Sequence, residues 1–256
     1  MGGALLRGWL ERDLAEQYVV VEPAGAGHVT ISPHVKLVSS VNQLDPNFRP
    51  TIAVLAVKPQ TMLEALPSYR TFAERGTLFL SIAAGKTLDF LSRHLGPGVA
   101  LVRAMPNTPA AIGRGISVAC ANARVDAPGR ARVEGLLAAV GEVQWVEDEK
   151  LLDTVTAVSG SGPAYVFLLI EALTKAGVAA GLPEPLAERL ARATVAGSGE
   201  LARVSPETAA KLREAVTSPG GTTRAALDVL MAPDGLEPLM LRAVLAAAKR
   251  SRELAD

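Results

Sequence analysis

The pattern of apolar residues changes once along the chain, at the charged run Glu147-Asp148-Glu149-Lys150, and that change limits the fold more than any other feature. Ahead of it, short apolar runs of strand length alternate with helical stretches. Strands are expected at 18–21, 28–31, 36–39, 52–57, 77–83, 99–103, 115–120 and 143–146, and helices at 5–10, 88–95 and 128–140. The run 52–57 is apolar without alternation, as a parallel strand covered on both faces must be. Beyond Glu147 the strand signal stops and helical periodicity takes over. The expected architecture is α/β: a Rossmann-like, mostly parallel sheet domain over 1–147, then an all-helical domain over 148–256.

The helical half carries a second constraint. A helix expected from Pro163 to about Ala180 is apolar on nearly every face, with Val166, Phe167, Leu168, Leu169, Ile170, Leu173 and Val178. A helix of that kind must be surrounded. About 110 residues of helix cannot cover it alone, so a second subunit is expected to. Gly160, Gly162, Ala164 and Gly177 read as packing positions. Ser161 and the pair Ser205-Pro206 read as helix starts, and Gly197-Ser198-Gly199 reads as a kink or a close crossing.

Bulk composition removes several functions. Lys plus Arg is 26 and Asp plus Glu is 26, so no net field draws nucleic acid or an anionic membrane. Aromatic residues make up 4%, too few for base-stacking platforms. The longest wholly apolar stretch, 164–170, ends at Glu171, short of the roughly 20 residues a membrane span needs. Cys120 is the only cysteine, so a reducing, cytoplasmic setting is expected, with no signal peptide over 1–10. His28, His34 and His94 lack metal-ligand spacing, and no metal is expected.

The chemistry concentrates in Thr217-Ser218-Pro219-Gly220-Gly221-Thr222-Thr223, between two helical runs. Gly220 and Gly221 let backbone approach another molecule, and the following helix starts with free N–H groups that suit a carboxylate or phosphate. Ser218, Thr222 and Thr223 add hydroxyls, and no Lys or Arg lies inside the loop. A helix stop followed by a Thr cap explains the same residues without a ligand.

At the N-terminus a helix pattern begins at once, with Leu5, Leu6, Trp9 and Leu10. A dinucleotide fold ordinarily places a strand and Gly-x-Gly-x-x-Gly ahead of that helix. The strand and the first two glycines are absent, so two parallel strands are expected to lack a neighbour; a late start codon or a shortened chain would account for it. Glu22 follows about 20 residues after the glycine region, where an acid hydrogen-bonds a ribose 2′-hydroxyl. Lys58 ends an apolar strand, at the edge where open α/β sheets bind ligands.

Five stretches resemble the pyrroline-5-carboxylate reductase family, in its order: Ala56-Val57-Lys58-Pro59, Ile82-Ala83-Ala84-Gly85, Met105-Pro106-Asn107-Thr108-Pro109, Ser159-Gly160-Ser161-Gly162-Pro163-Ala164-Tyr165 and Thr217–Thr223. The resemblance covers nearly the whole chain. It implies reduction of 1-pyrroline-5-carboxylate to L-proline with NADPH or NADH. It implies cofactor contacts at Gly2, matching the third fingerprint glycine, and at Asn42, Ala56, Val57, Lys58, Pro59, Ala83, Ala84, Gly85 and Asn107, beside Glu22. Substrate contacts are implied at Glu149, Val216, Ser218, Gly221, Thr222 and Thr223, with Thr223 and Ser218 as the catalytic pair. Homodimers assembled into a larger ring are implied, with no nucleic-acid or membrane partner. Two other readings stand beside this one: a β-hydroxyacid dehydrogenase-like enzyme, whose catalytic lysine finds only Lys175, far along the first long helix and without the expected surroundings, and an inactive, truncated assembly module.

An acid at Glu22 disfavours a 2′-phosphate. The purified protein is therefore expected to show a higher kcat/KM with NADH than with NADPH, measured side by side; a strong NADPH preference would remove Glu22 from the site.

Overall fold

The computed structural model describes residues 1–25 and 32–254, so the strand expected at 28–31 lies outside the described residues. The elements in order are α1 (Gly2–Glu11), β1 (Tyr18–Val21), β2 (Val35–Val38), β3 (Ile52–Leu55), α2 (Met62–Ala65), α3 (Arg70–Glu74), β4 (Leu78–Ser81), α4 (Leu88–Leu95), β5 (Leu101–Met105), β6 (Gly115–Ala121), α5 (Ala127–Ala138) and β7 (Gly141–Trp145). Helices follow: α6 (Leu151–Val155), α7 (Gly162–Ala179), α8 (Glu184–Val204), α9 (Ala209–Ala215), α10 (Thr222–Leu230) and α11 (Leu236–Glu253). Two compact units result, Met1–Gly160 with Ala247–Asp256, and Ser161–Ala246.

In the first unit the strands form two sheets, a parallel β1–β2 pair and a five-stranded sheet in the order β3-β4-β5-β6-β7. The pairings are parallel except β5–β6. That exception follows from chain length: nine residues, most of them in a 3-10 turn at Thr108–Ile112, join β5 to β6, too few for a parallel crossover. β1 and β3 each have one edge unpaired among the described residues, as expected of two parallel strands that lack a neighbour. The two sheets still share one apolar cluster. Leu5, Leu6 and Trp9 of α1 and Tyr18 of β1 pack with Leu80, Val102, Ala119, Val133 and Leu137.

Local chemistry accounts for the helix limits. The hydroxyl of Thr87 accepts from the Phe90 N–H to start α4, and the Asp126 carboxylate accepts from the Gly129 N–H to start α5. In α1, a Cβ on Gly8 would lie 2.6 Å from Val140 Cγ1 and 3.1 Å from the Ala139 carbonyl oxygen, so only glycine lets this helix lie on the turn after α5.

The described chain beyond β7 is helical, as expected, with some starts moved. The helix expected from Pro163 begins at Leu151: α6 runs through a π-helical turn, Thr156–Gly160, into α7, giving 29 continuous residues. Because α7 continues an existing helix, Ser161 makes no side-chain cap. Thr208, not Ser205-Pro206, starts α9; its hydroxyl accepts from the Lys211 N–H. By length and composition the 29-residue helix could cross a bilayer, contrary to the estimate from 164–170. Its α7 part has no buried residue; Phe167 is 59% and Leu168 61% exposed. Gly177 brings α7 onto Ala187 of α8, and Ala187 and Ala191 are the buried residues of α8. Gly197 and Gly199 sit in an unbroken α8 with no other element within 4 Å of an added Cβ.

Two glycine substitutions separate packing from propensity. Gly8→Ala is expected to destabilise the protein by about 1–2 kcal/mol through overpacking. Gly135→Ala, at an open position in α5, is expected to stabilise by up to about 1 kcal/mol. Urea unfolding of both variants checks the opposite signs.

Candidate active site

β3, β4 and β5 run parallel, so the segments leaving them emerge along one rim. These are Ala56–Pro59, Ala83–Gly85 and Met105–Asn107, three of the stretches marked by sequence. The start of α1 stands at the same rim, because a Cβ on Gly2 would lie 3.0 Å from Ala56 Cβ. The end of α1 reaches the beginning of β1: Trp9 stacks on Tyr18, whose hydroxyl donates to the Trp9 carbonyl at 3.2 Å. β1 therefore points its carboxyl end, Glu22, to the rim where Gly2 sits. Such a rim, at the carboxyl ends of parallel strands, is where open α/β sheets bind ligands.

Side chains along the rim are small or tied back. Ala83 and Gly85 are buried. Gly85 needs its left-handed φ of 77°. Lys58 is exposed and its carbonyl accepts from the Thr61 N–H and hydroxyl, which fixes the turn after Pro59. Asn107 Oδ1 accepts from the Ile116 N–H at 2.9 Å, so its acceptor holds the β5–β6 loop while Nδ2 stays available. Glu22 Oε1 accepts from the Ala24 N–H. Asn42 is exposed in a 3-10 turn after β2.

In the second unit the loop 217–223 has the geometry of an anion cradle. Thr217 closes α9, its hydroxyl donating to the Arg213 carbonyl at 2.6 Å. Gly220 is left-handed, with φ 69°. Gly221 is extended and needs glycine for a different reason: a Cβ there would strike the Ser218 hydroxyl. Gly221 occupies the N-cap of α10, and no side chain caps that helix. The N–H groups of Thr222, Thr223 and Arg224 have no partner among the described residues. Three unmet donors at a helix start attract an anion. Thr222 is exposed, Thr223 half-buried, and Val216 65% exposed at the loop's entrance.

Comparison with known proteins matches this architecture. Residues 149–254 match the model for the pyrroline-5-carboxylate reductase dimerisation domain. A pyrroline-5-carboxylate reductase from Synechocystis is 42% identical over 99% of this chain and 96% of its own length. The chain belongs to the pyrroline-5-carboxylate reductase family. A second relative of that name, from Pseudomonas aeruginosa, is 44% identical over 80% of the chain and 75% of its own. The solved reductase from Coxiella burnetii superposes with a TM-score of 0.87 at 32% identity, covering 100% of this chain and 96% of that one. The Plasmodium falciparum pyrroline carboxylate reductase, solved with NADP bound, gives 0.84 at 29% identity, covering 100% and 95%.

One ion pair of this family member was not found by sequence reasoning. Arg103 of β5 is 4% exposed, and its Nη1 donates to Glu149 Oε1 at 2.9 Å. The same oxygen accepts from the Leu88 N–H at 2.8 Å, at the first turn of α4. Glu149 therefore joins β5 to α4, and Oε2 has no partner among the described residues. The signal was present: an arginine inside the apolar strand Leu101–Met105 needs a buried counter-charge. Beside this pair, the Cys120 thiol is pushed above its usual range, first by burial and then by the Glu149 and Glu147 carboxylates, with Arg103 acting in the opposite direction.

Glu149→Ala leaves Arg103 buried without a counter-ion and frees the start of α4. It is expected to destabilise the protein by about 2–4 kcal/mol, measured by urea unfolding. A change under 0.5 kcal/mol would show that solvent compensates the arginine.

Proposed function

We propose that this protein reduces 1-pyrroline-5-carboxylate to L-proline with hydride from NAD(P)H, the last step of proline biosynthesis. The observation that carries the reading is the uncapped start of α10 behind Gly220 and Gly221, a cradle for one carboxylate with no cation inside the loop. Family membership selects the acid.

The chain's own residues divide the work. The N–H groups of Thr222 and Thr223 hold the substrate carboxylate, and the Thr223 hydroxyl reaches the ring nitrogen as hydrogen-bond partner and proton relay. Ser218 shapes the loop against Gly221. Val216 flanks the entrance, and the family resemblance assigns Glu149 a substrate contact. A protonated imine accepts hydride more readily than a neutral one, so positioning supplies most of the remaining acceleration.

The rim of the first unit fits a dinucleotide: small residues at Ala56, Ala83 and Ala84, a left-handed Gly85, and the helix start at Gly2 laid against Ala56. Lys58, Val57, Pro59, Asn42 and Asn107 would hold the dinucleotide, with Glu22 on its ribose. When bound, the reduced nicotinamide supplies the hydride that converts the C=N carbon to C–H.

The exposed apolar face of α7 supports a homodimer, and we read the dimers as parts of a larger ring. A cytoplasmic location follows from the reaction and from the single buried thiol.

Thr223→Ala is expected to lower kcat by roughly 10- to 100-fold, the scale of one positioned hydrogen bond. Steady-state kinetics with pyrroline-5-carboxylate checks it. Unchanged kcat would exclude Thr223 from the chemistry, and complete loss would assign it a larger part than a hydrogen bond.

A further inference from the structure

The loop Ala83–Gly85 is held from the far end of the chain. A Cβ on Gly85 would lie 2.9 Å from the Leu254 carbonyl oxygen and 3.3 Å from Leu254 Cβ. The last turn of α11 thus lies directly on the backbone of this loop. That turn is anchored. Ser251 is 5% exposed, and its hydroxyl bonds Asp153 Oδ1 of α6 at 2.7 Å. Ala248, one turn earlier, is 4% exposed.

From the other side, Glu149 pins the Leu88 N–H, and the Thr87 hydroxyl holds the Phe90 N–H. Residues 84–88 are therefore clamped between two anchors, the Arg103–Glu149 pair and the Ser251–Asp153 bond. The first holds the helix that follows the loop, and the second holds the turn pressed on Gly85.

We propose that Ser251 and Asp153 are positioning residues for the dinucleotide, acting through Leu254 on the Ala83–Gly85 loop. This rests on the reading of that loop as a cofactor contact. The physical argument is preorganisation. A left-handed glycine has the widest conformational freedom of any residue, and a loop built on one loses the most entropy when a ligand fixes it. Packing the Leu254 carbonyl on Gly85 restricts it beforehand, so binding loses less. Releasing the turn restores that freedom and weakens the dinucleotide, without touching the substrate cradle on α10.

The experiment compares Ser251→Ala, Asp153→Ala and Asp153→Asn, the last of which keeps an oxygen acceptor for the Ser251 hydroxyl. Dissociation constants for NADH and NADPH come from nicotinamide fluorescence. The KM for pyrroline-5-carboxylate is measured at saturating cofactor, and Tm is recorded for each variant. Both alanine variants are expected to raise the dinucleotide constants about 5-fold, the scale of one lost hydrogen bond. Asp153→Asn is expected to stay within twofold of the parent, and the substrate KM within twofold throughout. Ala84→Asp, which places charge and bulk in the loop itself, separates the two readings. If it weakens the dinucleotide while both alanine variants bind normally, the loop contact stands and the positioning role falls. If Ala84→Asp binds normally, the loop reading falls and the proposal with it. Should Ser251→Ala fail to fold, the Asp153 pair decides alone: equal binding by Ala and Asn overturns the proposal.

Discussion

Side-chain packing, rather than backbone hydrogen bonding, joins β1–β2 to the remainder of the first unit. β1 pairs with β2 and β3 with β4, and each of the two strands keeps an unpaired edge among the described strands. What bridges them is α1. Leu5 is fully buried, and Leu6 and Trp9 nearly so, in a cluster that takes in Tyr18 from one sheet and Leu80, Val102 and Ala119 from the other. Trp9 is held three ways, by stacking on Tyr18, by the Tyr18 hydroxyl on its carbonyl, and by its own Nε1–H donating to the Leu136 carbonyl at 2.8 Å. The rim inherits its geometry from this helix. Gly2 meets Ala56 because α1 is seated, and Glu22 reaches the rim because β1 starts where α1 ends.

The two candidate binding regions use opposite electrostatic strategies. On the α10 loop, attraction for an anion comes from oriented backbone N–H groups, which need no counter-charge and no desolvated side chain. Around the Ala83–Gly85 loop, a buried Arg103 and a partly buried Glu149 neutralise each other and act as a fastener. Burying such a pair contributes little net stability, while separating it is costly. Its value is geometric, because one carboxylate oxygen fixes a strand and a helix start together.

Much of this was legible in sequence because the signals were local. Apolar runs of strand length gave β1 and β3–β7 to within a few residues. The switch to helices after Glu147 follows from periodicity alone. Glycines that serve a neighbour distant in sequence were less readable: nothing around Gly8 tells of Val140, and nothing around Gly85 tells of Leu254. The start of the long helix was misread because Ser159–Pro163 carries two glycines and a proline, ordinary stop signals. A π-helical turn takes in Gly160, fitted against Met105 with the Ser159 hydroxyl bonded to the Val155 carbonyl, and Gly162 and Pro163 fall in the first turn of α7. The cap at Thr208 lost to Ser205-Pro206 because both satisfy the same local rule. Roles at the sites came from the resemblance, since a glycine-bent turn looks alike with or without a ligand.

The bareness of α7 has a consequence for how such a protein lives in dilute solution. A helical unit whose two long helices bury little beyond Ala187 and Ala191 within one chain has almost no interior of its own. In a family defined by its dimerisation domain, that interior is completed by a second copy. Mass action then governs it: each tenfold fall in protomer concentration removes about 1.4 kcal/mol from the dimer's stability against unfolded chains. Abundance in the cell thereby becomes a structural parameter of the protein, on the same footing as a buried leucine.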